Sequence, residues 1–303
     1  MNIDHGLCLL VAHDAGGAEI LASYVKQHQL NCLFVLEGPA LNVFQRKLGV
    51  IELTTVDAGL LAADWCLCGT SWQSDIEWQV IKQAQLLGKR VVSFIDHWVN
   101  YPDRFIRNGV QHLPDEIWVG DLYAEQIARA AFVHTVIKIV ENPYLIDVAA
   151  ELKELSQSSM EKSCDERILL FVSENISDHA LLKYADINYF GYTEFDALKY
   201  LLENLQVLEC DISQLVIRPH PSDKDGKYDA LLAQYPQFLL LSREPSLLVD
   251  IMHADLVVGC QSVALVVALL ANKKVISCIP IEQPCLLPHK EILSLRTILQ
   301  KRV

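Results

Sequence analysis

Short uninterrupted apolar runs alternate with longer amphipathic stretches from one end of the chain to the other. Leu7–Ala12 is apolar, a Gly-Gly step follows, and Ala18–His28 then carries helical spacing. Cys32–Leu36, Trp65–Cys68, Val91–Ile95, Glu116–Val119 and Val136–Val140 read as further strands. Ser74–Gly88 reads as a helix. Ser74 is placed to cap it, Glu77 stands at its third position and Gly88 is suited to end it. Asp121–Ala131 is a further helix behind its strand. Strands without polar alternation, spaced by helices, predict a parallel sheet covered on both faces.

The pattern breaks at Glu151–Glu166, which is polar and charged and includes Ser156–Ser159. Part of it reads as helix and the rest as linker. It restarts at Arg167. Ile168–Val172, Leu215–Ile217, Phe238–Leu241, Leu256–Val258 and Val275–Cys278 read as strands. Thr193–Leu205 is a helix capped by Thr193, Pro245 suits the first turn of a helix running to His253, and Asn272 suits the end of the helix opened by Ser262. The expectation is α/β, with two Rossmann-like domains: 1–150, a linker at 151–166, and 167–303.

A chain of 303 residues fits two such domains, and 51% hydrophobic content supplies their cores. The net charge of −13 repels phosphate backbones and argues against a nucleic-acid partner, while leaving room for an anionic small ligand in a local pocket. The first residues lack the basic start of a signal peptide, and Leu256–Ala271 is short for a membrane span and interrupted by Gly259, Gln261 and Ser262. The nine cysteines lack zinc spacing. Reduced, buried cysteines in a cytoplasmic protein, with no metal and no cofactor, are the expectation.

Four polar loops at strand ends carry candidate chemistry. Arg218-Pro-His-Pro-Ser222 follows an apolar strand, and its prolines hold His220 stiffly beyond the strand end. The imidazole suits a phosphate oxygen; Arg218 suits either a phosphate or support of the loop. Gly259-Cys-Gln-Ser262 ends another strand. Gly259 would allow a tight turn, Gln261 or Ser262 would cap the next helix, and that helix's free N–H groups would draw an anion. His13-Asp-Ala-Gly-Gly17 joins the first strand to the first helix. Gly16 and Gly17 would permit close approach, and Asp14 or His13 could act as general base. This is not a Gly-x-Gly-x-x-Gly fingerprint, so a dinucleotide lacks support. Asp96-His-Trp-Val-Asn-Tyr101 offers Asp96 and His97 with Trp98 and Tyr101, a set suited either to a sugar ring or to the core. Gly69-Thr-Ser-Trp72, with Ser71, ends the neighbouring strand, and Glu141-Asn142-Pro143 reads as a structural crossover.

With these loops in place, the chain resembles the GT-B class of glycosyltransferases and relatives with two Rossmann-like domains facing across a cleft. Arg218-Pro-His-Pro221 looks like the His-Pro motif of bacterial sialyltransferases, capsule Kdo transferases and teichoic-acid polyol-phosphate transferases. Gln261-Ser262 lies where those families place a Ser-rich phosphate-binding motif. The resemblance implies that His220 and Ser262 contact the phosphate of a nucleotide-activated sugar, and that the N-terminal domain supplies the base: Asp14 first, then Asp96 or His97. Many UDP-sugar enzymes of the class carry a ribose-gripping Glu five residues beyond the Ser; here that position is Val267. The departure points away from UDP-sugars and toward a CMP- or CDP-linked donor. After Pro288-His289 there is room for one closing helix, which in this class can return to the N-terminal domain. Peripheral membrane association is common in the class, but no basic amphipathic helix stands out here.

The leading expectation is therefore an inverting, metal-independent sugar or polyol-phosphate transferase of surface polysaccharide or glycoconjugate synthesis, acting on a carbohydrate or glycolipid acceptor. A nucleotide-sugar hydrolase or epimerase on the same fold is the alternative. A non-catalytic nucleotide-sugar-binding protein, for which Val267 speaks, is the third reading.

Overall fold

The computed structural model describes residues 6–71, 73–158, 167–208 and 211–301. The chain forms two compact units, Met1–Asp147 and Val148–Val303. The boundary falls inside a helix, Pro143–Ser158, not in a polar linker. Asn142 starts that helix: its side-chain oxygen accepts from the Tyr144 and Leu145 N–H groups. The expected linker is thus helix over residues 151–158, and residues 159–166 lie outside the described ones.

In the N-terminal unit the order is β1 (Cys8–Ala12), α1 (Ala15–His28), β2 (Cys32–Leu36), α2 (Pro39–Leu48), α3 (Val56–Ala62), β3 (Trp65–Cys68), α4 (Ile76–Leu86) and β4 (Arg90–Ile95). A short hairpin of β5 (Ile106–Arg107) and β6 (Val110–Gln111) precedes β7 (Glu116–Val119), α5 (Leu122–Ala131), β8 (Val136–Ile139) and α6 (Pro143–Ser158). The sheet is parallel in the order β2-β1-β3-β4-β7-β8. A parallel bridge from Phe34 to Leu53 adds the rudiment of one more strand outside β2. All five residues of β1 are buried, because helices cover both faces of this central strand. Cys8, Leu10 and Ala12 pack with Leu21 and Val25 of α1 and Phe44 of α2. Burial pushes the thiols of Cys8 and Cys68 up and that of Cys66 up to about 11.

The C-terminal unit runs β9 (Ile168–Val172), α7 (Ile176–Tyr184), α8 (Glu194–Glu203), β10 (Gln214–Arg218), α9 (Asp229–Leu232), β11 (Leu239–Leu241), α10 (Leu247–His253), β12 (Leu256–Gly259), α11 (Val263–Leu270), β13 (Lys274–Ser277), β14 (Ile292–Ser294) and α12 (Leu295–Gln300). Its sheet is parallel in the order β11-β10-β9-β12-β13-β14. This is the doubly wound order with its reversal between β9 and β12, the position where such sheets open a crevice at their carboxyl edge. Thr193 caps α8 in a full capping box with Asp196. The closing helix α12 packs Leu295, Ile298 and Leu299 into the core of this unit.

Several local readings change. The Gly-Gly step is not a turn: Gly16 and Gly17 lie in the first turn of α1. Ser74 precedes α4 by one residue more than expected, and Glu77 does not close a capping box; its carboxylate reaches the β1 loop instead. Gly88 does end α4, at a φ of +67°. Pro245 lies before α10, where Ser246 is the cap. The helices α2, α3 and α7 and the strand β14 are additions to the pattern read from sequence. No helix of the described residues is long and apolar enough to cross a membrane.

Candidate functional site

Each unit gathers its polar residues at the carboxyl edge of its sheet. In the C-terminal unit, β10 runs straight into Arg218-Pro-His-Pro-Ser222, and Asp223 pins that loop. One carboxylate oxygen of Asp223 accepts from the His220 N–H at 2.9 Å and from the Tyr228 hydroxyl at 3.3 Å; the other accepts from Lys227 at 2.6 Å. Lys227 also pairs with Glu194, which is fully buried and accepts from the Ser177 N–H and hydroxyl. The pairing with Lys227 overcomes burial and holds the Glu194 carboxyl below its usual range, while Asp223 and Glu194 hold the Lys227 ammonium above its own.

From Lys227 a chain of hydrogen bonds runs to His220 with a fixed sense. Lys227 donates to the Asn175 side-chain oxygen at 3.3 Å, which leaves the Asn175 amide nitrogen to donate to Ser222 Oγ at 2.8 Å. Ser222 Oγ contacts His220 Nδ1 at 2.7 Å, and the Ser222 N–H donates to the same nitrogen at 3.2 Å. Nδ1 is therefore the acceptor and Nε2 carries the proton. Partial desolvation of this imidazole lowers its pKa, as does the nearby Lys227 charge, which favours the neutral ring. The exposed residue presents an Nε2–H with no partner among the described residues. Such a donor fits an anionic oxygen.

Arg218 is not part of that surface. Its guanidinium donates to the buried carboxylate of Asp250 at 2.8 Å and to the carbonyls of Glu244 and Pro245, so it supports the loop before α10. Gly259 does not adopt a left-handed turn; it closes β12, where a Cβ would stand 3.1 Å from the Val172 carbonyl oxygen and 3.3 Å from Leu265. Ser262 caps α11, accepting from the Ala264 N–H at 3.1 Å. Three of the N–H groups leading into that helix are already taken. Glu174, just after β9, places one carboxylate oxygen against the N–H groups of Cys260, Gln261 and Ser262 at 3.0, 2.7 and 3.0 Å. Burial still outweighs these three bonds and leaves the Glu174 pKa raised. Sequence reading missed Glu174, although its place at the end of β9, beside the sheet reversal, was a usable signal. Val267 is buried in α11.

In the N-terminal unit the loops after β1, β3 and β4 meet. Asp14 Oδ1 accepts from His13 Nδ1 and from the Ser71 hydroxyl, both at 2.7 Å. In the tautomer that donates Nδ1–H to this carboxylate, Nε2 keeps a lone pair. That nitrogen faces Gly38, whose φ is +50° and where a Cβ would come within 2.7 Å of it. Beneath the loop, buried Glu77 accepts from the His13 N–H at 2.9 Å. Its other oxygen is buried without a partner. Burial, with the nearby Asp14 charge, pushes the Glu77 carboxyl up to about 8.

Asp96 lies beside this cluster, close against Gly16, and is paired at 2.5 Å with Arg104, which also donates to the Thr70 hydroxyl at 2.8 Å. The glycines 16 and 17 thus admit the chain's own neighbours: Asp96 against Gly16, and the backbone of Gly69 and Thr70 against Gly17. His97 is half-buried with its ring 5.7 Å from that of Trp98. Trp98 and Tyr101 are core residues and offer no face to a sugar. The Trp98 indole donates to Asp121 at 2.8 Å, and the buried Tyr101 ring stacks on Phe132. Trp72 lies outside the described residues. The structure thus brings together His13, Asp14, Ser71, Asp96 and the unforeseen Glu77 in one unit, and His220 with Ser222 in the other.

No protein-family model matches the sequence, and no curated protein does. Solved structures do. S. aureus MnaA, solved with UDP, is similar over 98% of this chain and 87% of its own, at 11% identity and a TM-score of 0.63. The UDP-GlcNAc 2-epimerase of Methanocaldococcus jannaschii covers 89% of this chain and 83% of its own, at 11% identity and a TM-score of 0.56. The glycotransferase of kitacinnamycin covers 93% and 82%, at 9% identity and a TM-score of 0.54. At such identities the likeness is one of fold: two Rossmann-like domains of the GT-B type.

Proposed function

We propose that this chain binds a nucleotide-activated sugar and transfers the sugar, or a polyol phosphate, to a hydroxyl acceptor. The observation that carries the reading is the polarised run Lys227–Asn175–Ser222–His220, which ends in an outward Nε2–H at the carboxyl edge of the C-terminal sheet. A donor fixed before the ligand arrives needs no reorganisation as charge builds on a departing nucleotide phosphate. In the same reading the N-terminal domain supplies the base. His13 Nε2 takes the acceptor's proton, and Asp14 orients the ring and stabilises the imidazolium. The acceptor oxygen then attacks the donor's sugar carbon or, for a polyol phosphate, the phosphorus of that group, and the pair of the broken bond leaves with the nucleotide. A carbohydrate or glycolipid acceptor and a CMP- or CDP-linked donor belong to this proposal.

Calorimetry with CMP, CDP, UDP, GDP and dTDP tests it. Selective binding of one nucleotide is expected, and His220→Ala should weaken it by about ten- to a hundredfold, the worth of one hydrogen bond to a charged group. Ser222→Ala should lose less, because its N–H still holds Nδ1. Absence of binding to all five by a folded protein would sink the reading.

A second reading is acceptor-free turnover of the nucleotide sugar. It is favoured by Glu77, a buried carboxyl that stays protonated near neutral pH beside the His13–Asp14 pair, so that an acid and a base stand together. Release of nucleotide or epimerised sugar without acceptor, followed by proton NMR, would select it.

A further inference from the structure

We infer that Glu174 is an internal anion that restricts the C-terminal site to donors linked through a single phosphate. The inference rests on the donor-site reading above. Three consecutive N–H groups, of Cys260, Gln261 and Ser262, converge on one oxygen of the Glu174 carboxylate at 2.7–3.0 Å. At the reversal point of a doubly wound sheet, the amides that open a helix form a ready receptor for a phosphate. Here they are saturated from within the chain. A ligand phosphate could use them only by expelling the carboxylate, and otherwise would lie beside a partly buried like charge, where repulsion is less screened than in open water.

The spacing along the sheet edge sets how many phosphates remain welcome. His220 stands at the end of β10, Glu174 at the end of adjacent β9, and the three amides at the end of the next strand, β12. Neighbouring strands lie about 4.8 Å apart. Asn175, which supports His220 through Ser222, directly follows Glu174 in the chain. One phosphate at the His220 Nε2–H therefore has an anion already seated at the adjoining position. A second phosphate extending toward β12 meets that carboxylate. A nucleoside monophosphate ester satisfies the edge; a diphosphate ester duplicates a charge the chain provides itself.

The test is calorimetric affinity for matched pairs: CMP with CDP, UMP with UDP, GMP with GDP. The intact protein should bind the monophosphate of its preferred base at least as tightly as the diphosphate. Glu174→Ala frees the amides and should improve the diphosphate-to-monophosphate affinity ratio by about tenfold or more. Glu174→Gln keeps a carbonyl oxygen for the amides and removes only the charge; it should move the ratio in the same direction by less, and serves if the alanine variant does not fold. A diphosphate preference of tenfold or more in the intact protein, or a ratio unmoved in the folded variants, overturns the inference while leaving the donor-site reading standing. No nucleotide binding at all, or binding indifferent to His220→Ala, overturns both.

Discussion

Lys227→Met is expected to cost about 3–5 kcal/mol of stability at neutral pH, the usual penalty for stripping one partner from a buried ion pair. Lys227 is shared by Glu194, whose side chain is 0% exposed, and Asp223, whose side chain is 2% exposed. Without the ammonium, two buried carboxylates face each other with only the Ser177 donors, the His220 N–H and the Tyr228 hydroxyl to hold them. The pH dependence separates this from lost packing. The Glu194 pKa is lowered in the fold, so its contribution is present above the unfolded carboxylate pKa and disappears as pH falls through the folded one. The variant loses that contribution, and its deficit against wild type should shrink as pH is taken from 7 toward 4. Urea denaturation of both proteins at several pH values reads it directly; a deficit that stays constant with pH would contradict the assignment. The same variant should weaken nucleotide binding, because Asn175 loses the donor that fixes its orientation.

The second large effect has the opposite sign. Glu77 titrates at about 8 in the fold, against an ordinary value of 4.5. Its protonated form is favoured by folding, so its contribution is complete below about 4.5 and lost as pH rises to 8. Across that window wild type should shed on the order of a few kcal/mol through this residue. Glu77→Gln retains an oxygen for the His13 N–H and cannot ionise. The variant should be no more stable than wild type near pH 5, and more stable by pH 8 to 9. Parallel stability curves for the two proteins would refute the assignment.

The two parallel sheets were legible in the sequence because strands such as Leu7–Ala12 and Ile168–Val172 lack polar alternation, which only a strand buried on both faces tolerates. Local signals sufficed where one residue fixes the backbone, as at Gly88 and the Thr193 cap. The loops after β1, β10 and β12 were found for the same reason: polar residues end apolar runs. What escaped were partnerships across the sheet edge. Glu174 reaches residues 260–262, more than 80 positions away, and Glu77 reaches His13 from 64 positions away. Glu77 has the local spacing of a capping residue, and Glu174 is marked only by its place just after the apolar run of β9. Arg218 and Trp98 each carried two readings, and the structure gives both the supporting one: Asp250 takes the guanidinium and Asp121 the indole N–H.

The buried thiols give each half of the molecule its own clock. Cys8, Cys66 and Cys68 lie in the N-terminal sheet, while Cys260 and Cys278 lie at the carboxyl edge of the C-terminal one. A thiol hidden from solvent reacts with an alkylating reagent only when the surrounding structure opens, and then as its thiolate. Pulse alkylation followed by peptide mass spectrometry would therefore time the opening of the two halves separately in a single tube. A nucleotide that seats at His220 should slow the Cys260 clock through the structure it stabilises, and the Cys8 clock only to the extent that the two halves open together.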